Sequence, residues 1–182
     1  MATFNVPTRE EVNEVNQGIF DNLKGQLGFV PNLFATYALS NNALSNYLTL
    51  SGAKTSLNNK EKEVVNLAVS EVNQCFYCLS AHTAIAQMNG FTEDQILELR
   101  DGRSAFNASY NALAALAKNI TENRGRADEA VVDAFFTAGY TQENLIDTIV
   151  LVGDKTISNY IHNTTQVPID FPVAEPLDAV LA

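Results

Sequence analysis

Apolar residues return every three or four positions along nearly the whole chain, a period that α-helices satisfy and strands do not. Val12, Val15, Ile19, Phe20 and Leu23 mark a helix over 9–27, whose end Gly25 and Gly28 loosen. Pro31 suits a first helical turn, where its missing N–H would be unpaired anyway, so PNLFATYALS reads as the next helix. Ser40 opens another, NNALSNYLTLSGAK. Asn58 and Glu61 have capping-box spacing ahead of a helix with Val64, Val65, Ala68 and Val72 on one face. A further helix is expected over about 76–88, stopping at Asn89-Gly90, where glycine takes the left-handed conformation. Others follow over 105–119, 128–138 and 142–163, with a break at Arg124-Gly125. Ile149, Val150 and Val152 are β-branched but fall inside helical spacing, so no strand is expected. The three prolines of TQVPIDFPVAEP forbid continued helix in the tail.

One local device occurs twice. GFTEDQILEL from Gly90 and GYTQENLIDT from Gly139 each set a glycine, an aromatic and a Thr cap before an acidic first turn, 49 residues apart. They read as an internal helix-turn-helix repeat. The expected fold is all-α, a bundle of about eight to ten helices forming one domain over 1–182. Residues 1–27 are its N-terminal helical extension and 165–182 its proline-containing tail. Phe29, Phe34, Phe91, Phe135 and Phe136 are expected in the core.

Composition narrows the functions. Eleven Lys and Arg against 21 Asp and Glu give a formal charge of -10, which argues against a nucleic-acid or anionic-membrane surface. No stretch approaches the roughly 20 apolar residues that span a bilayer, and no basic-then-apolar leader begins the sequence. The expected compartment is the cytoplasm, where a disulfide is more often transient and catalytic than structural.

The two cysteines stand at Cys75 and Cys78, with His82 four residues on. If a helix starts near Cys75, all three project from one side, with the cysteine α-carbons about 5 Å apart, inside disulfide range. A helix start lowers a thiol's pKa, and His82 offers a base that can take and return its proton. Glu63, on the preceding helix, is placed to polarise His82, and Tyr77 offers a hydroxyl between the cysteines. Glu71 reads as solvated, His162 and Tyr160 as packing or interface residues. Other readings stand beside this one: a structural disulfide, a zinc site of Cys75, Cys78, His82 and His162, and Glu63 as a helix-start charge. No Gly-rich phosphate loop is present, and the dithiol chemistry requires no metal, haem, flavin or nicotinamide.

The order Glu63, Cys75, Cys78, His82 resembles the motif of the AhpD-like alkyl hydroperoxidases of the carboxymuconolactone decarboxylase superfamily, in its peroxidase-related branch. GFVPNLFATYA, the stretch LNNKEKEVVNLAVSEVNQCFYCLSAHTAIAQ, GFTEDQI and ISNYIHNTTQVPIDFP extend the likeness over 28–172. It implies an AhpD-like helical bundle, assembly as a homo-oligomer (trimer or hexamer), and a thiol-dependent peroxidase or disulfide oxidoreductase that reduces hydroperoxides or a partner's disulfide, an antioxidant role. Carried over, Cys78 is the peroxide-attacking thiolate, Cys75 the resolving cysteine, His82 the proton relay and Glu63 its support. The reductant is an external dithiol, a lipoylated or thioredoxin-like protein. Family hydroperoxidases have a histidine immediately before the second cysteine. Here that place is Tyr77, a hydrogen-bond donor but no base near neutral pH. Alternatives are a lactone decarboxylase of the same superfamily, which uses no cysteine pair, and a non-catalytic thiol redox sensor.

Overall fold

A computed structural model describes residues 4–177, which form nine α-helices and one 3-10 turn between residues 9 and 165 and, among the described residues, no strand. They are α1 (Glu14–Leu27), α2 (Asn32–Tyr37), α3 (Ala43–Ser51), α4 (Asn59–Val72), α5 (Phe76–Met88), α6 (Glu93–Arg100), α7 (Ala108–Glu122), α8 (Glu129–Thr137) and α9 (Gln142–Thr165). The all-α expectation and its helix count hold. No helix among the described residues is long and apolar enough to cross a membrane.

Most boundaries follow from side chains that satisfy end groups. Asn58 and Glu61 form the expected capping box of α4, and Thr92 with Gln95 and Thr141 with Asn144 form those of α6 and α9. Gly90 and Gly139, two residues ahead of those threonines, both take positive φ, so the repeated device has one geometry at both places. The helix expected over 9–27 is in fact divided. A 3-10 turn covers Arg9–Glu11, Val12 is extended, and α1 begins behind Asn13, whose side chain accepts from the Asn16 N–H. Capping chemistry at Asn13 overrides an apolar period that runs straight through it.

α4 is the central element and packs on α5, α6, α7 and α9. One apolar cluster joins α4 to α7 and α8 through Val64, Val65, Leu67, Leu113, Leu116 and Phe135. A second gathers the N-terminal segment and α2–α3 around the start of α5, placing Val12, Phe20, Leu33, Tyr37, Leu44 and Tyr47 with Cys75, Tyr77 and Cys78. Phe91 and Phe135 are buried as expected, whereas Phe29 and Phe136, each near a helix end, are exposed. The tail crosses the bundle without helix through 166–176 and is tied down by Asp170 to the Asn32 N–H (2.7 Å) and by the Ala174 N–H to Ser80 (3.0 Å).

Candidate active site

The turn from α4 into α5 sets the two cysteines. Gln74 takes the left-handed conformation (φ 51), the Gln74 N–H donates to Glu71 O, and the Cys75 N–H donates to Ser70 O. This is a Schellman stop built without glycine. Cys75 ends that motif and is at once the N-cap of α5, its Sγ accepting from the Cys78 N–H at 3.4 Å. The sulfurs of Cys75 and Cys78 lie 2.8 Å apart as free thiols, one turn apart as the spacing predicts.

The pair is asymmetric. The Cys75 thiol donates to Cys78 Sγ, and this bond holds Cys78 below the ordinary thiol range against the opposing effect of burial, with help from Lys155 and Asn159. Cys75 is pushed up by the same bond and then by burial. A proton shared between two sulfurs thus rests on Cys75, and Cys78 is the better thiolate.

Glu63 and His82 meet, with His82 Nδ1 2.8 Å from one carboxylate oxygen. The other oxygen accepts from Asn66 Nδ2 at 3.1 Å. Burial pushes Glu63 up, but His82, Lys155 and Asn66 outweigh it, and the carboxyl ends below its ordinary value. Burial lowers His82 more than Glu63 raises it. The two directions agree on one state, an ionised Glu63 accepting from a neutral imidazole, which leaves Nε2 as the basic nitrogen. Glu63 is buried beyond the first turn, where Glu61 is the acid, so a helix-start charge does not describe it. Among the described residues, neither Glu63 nor His82 hydrogen-bonds a sulfur.

Tyr77 is occupied elsewhere. Its hydroxyl accepts from the Leu33 N–H at 3.1 Å, and its ring packs on His162 (5.2 Å) and edge-on to Phe171 (5.6 Å). Burial pushes its ionisation up. His162 is buried, its Nε2 3.1 Å from the Val167 carbonyl oxygen. With His82 on Glu63 and His162 on Val167, the Cys and His side chains are not gathered as a ligand set, and the described residues contain no group of three or more metal-binding side chains. Tyr160 is exposed. Glu71, expected in solvent, instead pairs at 2.7 Å with buried Arg100 because α6 brings that guanidinium under the end of α4.

Four residues that the sequence reading missed lie on α9, in one stripe with His162. Asp154, Lys155, Ser158, Asn159 and His162 recur at three- and four-residue intervals, and all are buried. Asn159 accepts from Asn73 Nδ2 (2.9 Å) and donates to Ser70 (3.2 Å), at the turn that sets Cys75. Ser158 donates to the Tyr47 hydroxyl (2.7 Å) and lies 3.1 Å from that of Tyr37. A polar stripe at helical spacing was the available signal. The dithiol itself is covered, with Cys75 fully buried and Cys78 3% exposed.

Residues 40–118 match the carboxymuconolactone decarboxylase family. No curated protein matches the chain. Three solved structures are similar to it. An uncharacterized peroxidase-related protein from Silicibacter sp. TM1040 is 21% identical, with TM-score 0.79 over 94% of this chain and 91% of that one. An uncharacterized peroxidase-related protein with the alkylhydroperoxidase AhpD core, from Ralstonia eutropha JMP134, is 21% identical, with TM-score 0.80 over 96% and 93%. The debrominase Bmp8 in complex with 2,3,4-tribromopyrrole is 18% identical, with TM-score 0.75 over 100% and 97%. The likeness to these structures establishes the AhpD-like fold.

Proposed function

We propose, for a chain whose residues 40–118 match the carboxymuconolactone decarboxylase family and which has the AhpD-like fold, that it is a thiol-dependent peroxidase working through Cys75 and Cys78. The asymmetric sulfur pair carries this reading: one cysteine favours the thiolate and the other keeps its proton within 2.8 Å. The Cys78 thiolate attacks the distal oxygen of a hydroperoxide. The O–O bond breaks, the departing oxygen takes a proton to leave as alcohol or water, and Cys78 becomes a sulfenic acid. Neutral His82, oriented by Glu63, takes the Cys78 proton on Nε2 and returns one to the departing oxygen. Cys75 then attacks the sulfenic acid, expelling water and closing the disulfide. An external dithiol, lipoylated or thioredoxin-like, reopens it by exchange. Tyr77 serves as an anchor for α2 through Leu33 rather than as a proton donor to sulfur.

A lactone decarboxylase has no use for a hydrogen-bonded dithiol. A redox sensor has one, but is oxidised once per signal and does not cycle. The same reading has copies of the chain associate through the apolar residues that α9 exposes, Ile146, Ile149, Val150, Ile157 and Tyr160. Sedimentation as a single chain would contradict that assembly.

The test compares Cys78→Ser with Cys75→Ser after peroxide, using a sulfenic-acid trap and mass spectrometry. Cys75→Ser is expected to accumulate trapped sulfenic acid at Cys78, and Cys78→Ser none. Equal trapping in both variants contradicts the assignment.

A further inference from the structure

The stop ahead of Cys75 is held from outside itself. Gln74 takes the left-handed conformation, which a residue with a side chain adopts at a cost. Gln166 is left-handed as well, but its own amide returns to the His162 and Asn163 carbonyl oxygens. The Gln74 side chain is exposed and, among the described residues, forms no hydrogen bond. The bonds at this turn come instead from α9. Asn159, fully buried, accepts from Asn73 Nδ2 (2.9 Å) and donates to the hydroxyl of fully buried Ser70 (3.2 Å). Asn163, one turn on, donates to the Asn73 carbonyl oxygen (2.7 Å).

These bonds grip the two residues whose backbone places Cys75. The Ser70 carbonyl oxygen accepts the Cys75 N–H at 3.0 Å, and Asn73 ends α4 immediately before Gln74. Cys75 then caps α5 with its sulfur, 2.8 Å from Cys78 Sγ. A disulfide forms only where the backbone already brings two cysteines to the narrow range of separation it tolerates. Were the turn loose in the reduced protein, closing the disulfide would also have to order it. Held by α9, the turn is ordered beforehand, which raises the effective concentration of one thiol at the other.

We propose that Asn159 is a positioning residue of the dithiol: bonded to Ser70 and Asn73, it holds the turn that keeps Cys75 within reach of Cys78 and so favours the closed disulfide. The inference rests on the Cys75–Cys78 pair of the proposed function but not on peroxide turnover.

The test is the equilibrium of the protein with glutathione. Glutathione disulfide takes two electrons and two protons from the reduced pair, one S–S bond forms between Cys75 and Cys78, and two glutathione thiols leave. Asn159→Ala, which removes two hydrogen bonds from the turn, is expected to lower the equilibrium constant for closure about tenfold, a rise of about 30 mV in the two-electron potential. Adding Gln74→Gly to Asn159→Ala should recover most of that loss, because glycine takes the left-handed conformation without help. The second readout is ultraviolet thiolate absorbance, titrated in the reduced protein with Cys78→Ser as the baseline that isolates the Cys78 signal. Asn159→Ala should move the Cys78 titration up, since a loosened turn takes the Cys75 thiol away from Cys78 Sγ. If either readout stays at wild type in folded Asn159→Ala, or if Gln74→Gly leaves the loss of closure in place, the proposal is overturned. Should Asn159→Ala fail to fold, Asn73→Ala answers, because it removes one of the same bonds at a half-buried position. Closure unchanged in Asn73→Ala overturns the proposal. A protein that responds as expected yet consumes no peroxide would contradict the peroxidase reading and leave this one standing.

Discussion

Helices α7 and α9 both pack on α4, and they bury opposite kinds of residue. α7 buries Ala112, Leu113, Ala114, Leu116, Ala117 and Ile120, as an amphipathic surface helix should. α9 buries Asp154, Lys155, Ser158, Asn159 and His162, and exposes Ile146, Ile149, Val150, Ile157 and Tyr160. The α7 side is held by the removal of apolar area from water, and nothing there is reactive. The α9 side is held in part by hydrogen bonds of Ser158 and Asn159 around two sulfurs, an arrangement that contributes less per residue and fixes geometry more sharply. One bundle thus divides into a half that stabilises and a half that positions.

Substitutions should separate the halves. Leu113→Ala, in the apolar half, is expected to cost about 2–5 kcal/mol in denaturant unfolding, with the Cys78 titration unmoved. Ser158→Ala, in the polar half, should cost about 1 kcal/mol while shifting that titration. The reverse ranking would break the comparison. The next effect is pH dependence. Burial holds His82 below its ordinary 6.5, and His82, Lys155 and Asn66 hold Glu63 below its ordinary 4.5 against burial. For both, the unfolded chain binds protons before the folded one, so their stabilisation is present above those ordinary values and is lost as pH falls. Asp154, raised by burial, acts in the opposite sense, favouring the fold in acid. Melting temperature should therefore drop on acidification from pH 6.5 to about 5, and His82→Gln should flatten that drop. An unchanged slope would mean that His82 is not buried in its neutral form. The smallest effect is at the turn. Gln74→Gly removes a left-handed non-glycine residue and should stabilise by up to about 1 kcal/mol, read as a small rise in denaturation midpoint. A loss of stability would show that the Gln74 side chain, and not its backbone, makes the turn.

The sequence carries the apolar half plainly, because a 3.6-residue period and capping boxes at Asn58, Thr92 and Thr141 are local signals. It also places Cys78 and His82 on one helix with Cys75 at its start, since their spacing suggests that. It hides the stop at Gln74, where a glycine would have announced the left-handed turn. It hides the break at Val12, because an apolar residue continues the period while the cap at Asn13 ends it. Glu71 and Arg100 are 29 positions apart, and only the packing of α6 under α4 joins them. The inward stripe of α9 was visible as a pattern, but a polar face reads as solvated until something shows that the apolar face is the one left outside.

The central claim is that the Cys75–Cys78 pair turns over. It is tested most directly by following hydroperoxide consumption by the wild-type protein with excess of a small dithiol such as dihydrolipoamide, against Cys78→Ser. The account predicts many equivalents of peroxide consumed per chain, and none above background in Cys78→Ser. Consumption that stops at one equivalent, or that persists in Cys78→Ser, would contradict it.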